Sequence, residues 1–334
     1  MADYKGIKGF NIQTVSSEPA NPVLGQMWYN STLGKLRVGK TQAASWASGG
    51  NMTTAREALA GAGTQTAALA FGGLATAFTA DSEEYDGSTW TEGNNLNTAR
   101  TQLGGTGTQT AALAAGGHIH PVNEPTSAIS EEYNGTSWTE GNDLNTARYA
   151  LRECGTQTAG LAVGGHYGPP GYSDSTEAYD GTTWTEGGAL GTARYVTGGF
   201  GTQTAGAAAG GVGAPSGAVL AVMEEYDGSS WSEVTNAPRN TSGAASWGTQ
   251  TAGLVVTGSD GPPQNQLTAE AMTYDGTNWS TTTDYPASLR VPGAGMAAPA
   301  TVGIVFGGGL PSPLVATTNE YSGPSVVGGS VTTS

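Results

Sequence analysis

The chain has 334 residues, among them 54 glycines and 16 prolines, and only 12% of its residues are charged. So little charge is unlike a coiled coil or a charged disordered tail, and the glycines lack the every-third spacing of collagen. The net charge of −15 disfavours binding to nucleic acid, which needs clustered Lys and Arg. The single cysteine, Cys154, excludes an internal disulfide framework and a cysteine-based zinc cluster.

Residues 1–44 predict an N-terminal attachment arm that contains a β-hairpin. The leader MADYKGIKGF has no apolar segment and so predicts no secretory signal. Residues 1–46 carry five basic and two acidic side chains, including all four lysines, whereas the remainder carries seven basic and 25 acidic ones. A basic arm on an acidic body indicates docking, either on that body or on an acidic neighbour.

An eleven-residue motif recurs at intervals of about 45 residues, which indicates a repeat architecture. It reads GTQTAALAFGG at 63–73 and returns with changes at 107–117, 155–165, 201–211 and 248–258, with a degenerate copy at 300–309. This period, without a helical pattern, fits the four-stranded blade of a β-propeller. An uncharged stretch of near membrane-spanning length, 204–223, is Gly/Ala-rich and interrupted by Pro215, so we expect no membrane insertion.

A second motif, Tyr-Asp-Gly-x-x-Trp or a close variant, follows each of the first five copies. Asp-Gly or Asn-Gly between hydrophobic residues predicts a tight β-hairpin. Each unit therefore predicts four short strands. In the first unit they lie after Arg56, at 66–71, in the SEEY segment before Asp86, and in the STWTE segment after Gly87. Small residues suit the crowded inner strands, whereas Tyr and Trp suit the roomier outer ones.

The sixth unit has a Tyr strand at 318–322 but no Trp strand after it. The missing strand is found near the N-terminus, where SWASGGNMTTAR at 45–56 matches TWTEGNNLNTAR at 89–100. The sequence thus predicts an all-β fold: a six-bladed propeller over 45–322, closed by an N-terminal strand and followed by a C-terminal tail at 323–334.

The repeats resemble the kelch family, in which an apolar strand ending in Gly-Gly is followed by Tyr, by Trp and by a Pro/Thr-rich stretch ending in Arg. The closest copy is APRN at 237–240. The GTQTA and YDGSxW units behind a short leader are also similar to kelch-like virion proteins of marine tailed phages. The segment 19–38 resembles a β segment of phage tail and fibre proteins. A kelch-like propeller is what the resemblance implies, and propellers host binding modules and enzymes alike.

Enzymatic chemistry finds little support in the sequence. A sialidase Asp box has one residue between Asp and Gly, whereas Asp86 and Gly87 are adjacent. Galactose oxidase, a kelch-type enzyme, needs copper ligands and a Cys-Tyr crosslink, and this chain has three histidines and one cysteine. We therefore expect no enzyme and no cofactor.

Two sets of repeated polar residues favour architecture over a site. One arginine per blade is expected to pair with a repeat glutamate such as Glu84, Glu132 or Glu225; the set is Arg56, Arg100, Arg148, Arg194, Arg239 and Arg290. A ring of glutamines in the GTQT turns either binds a ligand on the axis or joins neighbouring blades, and its repetition favours the second reading.

Three histidines form a weak metal candidate. His118 and His120 lie on one side of an extended segment, and His166 follows its Gly-Gly at the same register in the next blade. No carboxylate occupies a matching position, so solvated loop histidines are the favoured interpretation.

The connections after each Gly-Gly differ in every repeat, whereas the GTQ and YDG turns on the opposite edge are nearly identical. A uniform scaffold with one diverse edge is typical of loop-borne recognition. The candidate ligand contacts are Asn123, Tyr167, Tyr172, Gln264 and Asn265. Neutral drift in unconstrained loops is the alternative.

These inferences predict a non-enzymatic structural protein of a bacteriophage virion, assembled in the host cytoplasm. The first interpretation is a tail-fibre or appendage adhesin whose arm binds other virion proteins and whose loops face a glycan or protein of the host surface. The alternatives are a capsid or tail decoration protein and a free carbohydrate-binding lectin.

Overall fold

The structure is a computed structural model that describes residues 12–119, 126–168, 171–195, 197–261, 266–295, 299–309 and 313–331. All regular elements in these ranges are β-strands, as predicted, and no helix that could span a membrane occurs among them. The chain divides into two compact units, Met1–Ser45 with Gly323–Ser334, and Trp46–Ser322.

The first unit contains one four-stranded sheet. Its strands, in spatial order, are Gln13–Val15, Met27–Asn30, Lys35–Gln42 and Ser325–Ser330. The first pair is parallel and the other two pairs are antiparallel. Residues from both ends of the chain thus share one sheet, and the expected C-terminal tail contributes a strand to it.

The described part of the second unit contains six four-stranded sheets, numbered here 1 to 6 in chain order. Sheet 1 comprises Ala60–Thr64, Ala67–Phe71, Ser82–Tyr85 and Trp90–Glu92, and sheet 2 comprises Gly104–Thr108, Ala111–Ala115, Ser130–Tyr133 and Trp138–Glu140. Sheet 3 comprises Arg152–Thr156, Ala159–Val163, Thr176–Tyr179 and Trp184–Glu186, and sheet 4 comprises Gly198–Thr202, Ala205–Ala209, Met223–Tyr226 and Trp231–Glu233. Sheet 5 comprises Ala245–Thr249, Ala252–Val256, Ala271–Tyr274 and Trp279–Thr281, and sheet 6 comprises Gly293–Ala294, Val302–Phe306, Thr318–Ser322 and Ser45–Ser48. Short additional pairings join Arg100–Thr101 to His118–Ile119 and Arg194–Tyr195 to Val212–Gly213, which in turn pairs with Ala218–Val219.

The turns explain why each repeat folds into four strands. In sheet 1 the Asp86 carboxylate accepts the backbone N–H groups of Ser88 and Thr89, each at 2.8 Å, and Gly87 has a φ of +91° that favours glycine. The first strands need small residues because neighbouring sheets approach closely there. A Cβ at Gly61, for example, would collide with the carbonyl oxygen of Ala294.

Sheet 6 takes its fourth strand from Ser45–Ser48, as the match between 45–56 and 89–100 predicts. The Trp46 ring lies 5.0 Å from the Tyr321 ring and 4.9 Å from the Tyr285 ring, measured between centroids. Its indole N–H donates to the Thr283 carbonyl at 3.0 Å. The strand is therefore held by side-chain contacts as well as by its backbone.

In sheets 2 and 3, a glutamine, a tryptophan and a tyrosine side chain each donate a hydrogen bond to the preceding sheet. From sheet 2, the Gln109 amide donates to the Tyr85 carbonyl at 2.7 Å, Trp138 Nε1 donates to Ser82 Oγ at 3.0 Å, and the Tyr133 hydroxyl donates to the Glu84 carboxylate. The Tyr and Trp rings are almost fully buried, as expected for outer strands. The glutamines thus join adjacent sheets.

Sheet 1 contacts sheet 6 in the same way. The Tyr85 hydroxyl donates to Glu320 at 2.6 Å, Trp90 Nε1 donates to Thr318 Oγ1 at 2.8 Å, and the Gln65 amide donates to the carbonyl of Tyr321 at 3.0 Å. We call each such set of intersheet contacts a seam.

Buried ion pairs connect the end of one repeat to the third strand of the next sheet. Arg100 Nη2 lies 2.9 Å from Glu131 Oε1, and neither side chain is exposed. Equivalent pairs join Arg56 to Glu83, Arg148 to Glu177 and Arg194 to Glu224.

The predicted pairing with Glu84, Glu132 and Glu225 is wrong, because adjacent residues of a strand point to opposite faces. Those three carboxylates instead accept hydrogen bonds from tyrosines of the following sheets.

Arg239 and Arg290 do not belong to this buried set, contrary to the expectation of one equivalent arginine per repeat. The carbonyl of each buried arginine accepts a hydrogen bond from the second glycine of a Gly-Gly pair, and at the ends of repeats 4 and 5 this position is occupied by Thr241 and Leu289. The glutamate position of the sheet that follows is changed too, to Met272 in sheet 5 and to Asn319 in sheet 6. Cation and anion are therefore lost together.

Candidate ligand-binding surface

The segments after each Gly-Gly fold back in a common pattern. The residue after the arginine position forms an antiparallel β-bridge with the residue after Gly-Gly. That residue forms a second β-bridge with a third one, as Glu57, Leu74 and Phe78 do. The first positions are Glu57, Thr101, Tyr149, Tyr195, Ser242 and Arg290. We call the surface formed by these three positions in all repeats the loop face. Equivalent backbone positions thus carry a different side chain in almost every repeat.

Six aromatic side chains of the loop face lie in a continuous chain of ring contacts, which we call the aromatic arc. The arc runs through Phe78, His118, Tyr149, His166, Tyr195 and Tyr172. Successive ring centroids are 5.0 to 5.6 Å apart, and every ring is half-buried. Mutual contact restrains these rings while part of each surface stays accessible.

The histidines of the metal candidate are members of this arc. Tyr149 lies between His118 and His166, with its ring 5.0 Å from the first and 5.1 Å from the second. His166 Nδ1 accepts the N–H of Gly168 at 3.1 Å. His120 lies outside the described residues, and within the described ranges no three His, Cys, Asp or Glu side chains form a metal-binding group.

The predicted contact residues have different surroundings. Tyr172 belongs to the arc, and Tyr167 is exposed by 52% of its surface, whereas Asn123, Gln264 and Asn265 lie outside the described residues.

A cavity of about 410 Å³ opens on the loop face beside Tyr172 and Tyr195, and we call it the tyrosine cavity. Its polar lining comes from Ser216, Ser242, Ser259 and Arg290. Burial raises the pKa of Tyr195, with a further contribution from Tyr172.

A second cavity of about 320 Å³ lies beside Phe78 and His118, and Arg290 lines this one too. The Arg290 guanidinium binds the Glu57 carboxylate through two contacts, at 2.8 and 3.0 Å, and remains 48% exposed. This ion pair therefore lies between the two cavities.

The backbone beneath the loop face forms a chain of hydrogen bonds from repeat to repeat. Gln102 N–H donates to the Ala58 carbonyl at 2.8 Å, and Ala150 N–H donates to the Gln102 carbonyl at 2.7 Å. Val291 N–H donates to Gly243, and Ala58 N–H donates to Val291, both at 2.9 Å. All five residues have positive φ, between 40° and 63°. Such backbone strain in non-glycine residues is commonest at functional sites.

Sequence reasoning missed Glu57, Tyr149 and Tyr195, and it assigned Arg290 to the repeat arginines and not to the loop face. A signal was present, since the residue after each conserved Asn-Thr-Ala-Arg or Gly-Thr-Ala-Arg segment changes from Thr101 to Tyr149 to Tyr195. A position that varies directly beside an invariant one indicates a side chain that does not pack between the sheets and can therefore differ from repeat to repeat.

No protein-family model matches the chain, and the search of curated proteins finds no significant relative. The similarities to kelch repeats and to phage virion proteins therefore remain predictions from the motifs.

Proposed function

We propose that the six sheets are the blades of a closed, kelch-like propeller. Three observations on sheets 1 and 6 support closure: the backbone bond from Ala58 to Val291, the side-chain bond from Gln65 to Tyr321, and the Ser45–Ser48 strand in sheet 6. In a closed ring each sheet has a neighbour against both of its faces, so no apolar sheet face is left exposed.

We further propose that the protein is a non-enzymatic adhesin on an appendage of a phage virion. The observation that carries this proposal is the contrast between near-identical seams and a loop face whose equivalent positions differ from repeat to repeat. Recognition surfaces are commonly built as variable loops on a rigid scaffold. The basic residues ahead of the acidic repeats suit attachment to other virion proteins, and Lys35 and Lys40 are exposed.

A decoration protein of the capsid or tail is the second candidate. It is favoured by the same charge distribution, because a basic arm on an acidic body suits electrostatic assembly on a particle. In that case the loop face contacts neighbouring subunits instead of the host.

Antibody labelling of purified virions tests both. Gold particles at the tip of a fibre or tail support the adhesin, and an even distribution over the head or tail tube supports decoration. Unlabelled particles, with the protein present only in the soluble fraction of the lysate, would exclude a virion role. Turnover of sugar substrates that is lost on one loop-face substitution would overturn the non-enzymatic assignment.

A further inference from the structure

We infer that the tyrosine cavity is the binding site for one hexose unit of a neutral saccharide. The inference deepens the proposed adhesin function, since it names the class of receptor and the place where it binds.

The first argument is the pairing of apolar ring faces with a concave site. Tyr172 and Tyr195 lie 5.6 Å apart with their planes tilted by 40°, and both line the cavity. A pyranose presents a face of C–H groups, which packs on aromatic rings of this kind, while the tyrosine hydroxyls remain available for hydrogen bonds. The volume of about 410 Å³ falls in the range of small-molecule sites and accommodates a hexose with part of a second unit.

The second argument is the supply of hydroxyl groups. Ser216, Ser242 and Ser259 line the same cavity. The backbone groups of Ser242 and Ser259 are bonded to each other at 2.9 and 3.0 Å, but no described residue is hydrogen-bonded to either hydroxyl. A serine hydroxyl both donates and accepts, which matches the vicinal hydroxyls of a sugar.

The third argument is charge, and it selects a neutral ligand. Arg290 is the cation of the cavity lining, and its charge is already matched by Glu57 at 2.8 Å. An acidic sugar or a phosphate would compete with this bidentate pair inside a protein of net charge −15. A neutral sugar can accept a hydrogen bond from the guanidinium without breaking the pair.

The test uses the full chain on an array of neutral and acidic oligosaccharides, followed by calorimetric titration of the best neutral ligand. We expect Tyr195→Ala and Tyr172→Ala each to weaken binding at least tenfold. The control is Tyr29→Ala, which removes a partly exposed tyrosine of the first unit that belongs neither to the loop face nor to the cavity lining. Tyr29→Ala should change affinity less than twofold.

A second variant distinguishes the loss of the binding site from misfolding of the alanine variants. Ser259→Trp retains both tyrosines and fills the cavity, and it should abolish binding while the melting temperature stays within a few degrees. Binding only to acidic glycans, no binding to any neutral glycan, or an equal loss in Tyr29→Ala would overturn the inference.

Virion labelling separates this inference from the proposed function. Labelled fibre tips with no neutral-glycan binding would refute the saccharide site alone. Binding lost in Tyr195→Ala, together with unlabelled virions, would refute the virion role and leave the site standing.

Discussion

The buried Arg100–Glu131 pair shows how one residue depends on another in this fold. Burial lowers the pKa of Arg100, and the adjacent Glu131 opposes that shift, so each charge is tolerated because of its partner. Glu131 also accepts the N–H of Asn97 at 2.6 Å, which fixes the loop before the arginine. Both members of the pair are replaced where repeat 4 meets sheet 5 and where repeat 5 meets sheet 6.

Arg100→Leu alone should therefore destabilise the protein by about 3–5 kcal/mol, because it leaves a buried carboxylate without its cation. Adding Glu131→Met should recover part of that loss, with a coupling energy of about 2 kcal/mol. Chemical denaturation of the two single variants and the double variant measures this coupling. Strict additivity would mean that the two charges do not depend on each other.

Individual residues also show which structural features could be predicted from the sequence alone and which could not. The Asp-Gly turns and the five-residue Tyr-to-Trp spacing were sufficient to place the strands, because both are local. Glu83 and Glu84 are adjacent glutamates on opposite faces of one strand, so the sequence alone does not show which of them contacts an arginine. Tyr195 escaped notice because its contact with Tyr172 is made by folding, with 22 residues of chain between them.

At the scale of the sheet, four seams between the described sheets hold a tyrosine hydroxyl against a glutamate of the preceding sheet. Burial first, and then the hydrogen bond to Glu320, raises the pKa of Tyr85 to about 12, and the same causes raise the pKa of Tyr274 to about 12. An unfolded tyrosine ionises near pH 10. The folded state thus holds its protons more tightly, and this contribution is complete below about pH 10 and is lost as the pH rises towards 12.

We accordingly expect the melting temperature to fall steeply between about pH 10 and pH 12. Tyr85→Phe should flatten that fall, because the ionising hydroxyl is gone, although it lowers stability at pH 7. Thermal melts across the pH range test this, with Tyr29→Phe in the first unit as the control. Identical pH profiles for Tyr85→Phe and the unchanged protein would show that the seam hydroxyl does not control alkaline stability.

For the molecule as a whole, the proposed ring closure predicts that the seam between sheets 1 and 6 contributes to stability as the seam between sheets 2 and 1 does. Gln109→Ala removes bonds between sheets 2 and 1, and Gln65→Ala removes the corresponding bond between sheets 1 and 6. In a closed ring each variant should lose about 1 kcal/mol of the free energy of unfolding. Chemical denaturation compares them, and an open row of sheets would give a loss for Gln109→Ala and none for Gln65→Ala.

The near-identical seams have an evolutionary consequence. The glutamine, tyrosine and tryptophan that join neighbouring sheets lie outside the segments that build the loop face. Recombination between two copies of the coding repeat can therefore exchange one loop for another without disturbing the joints. Such exchanges change the loops that recognise a ligand, while each exchange has little effect on the stability of the fold.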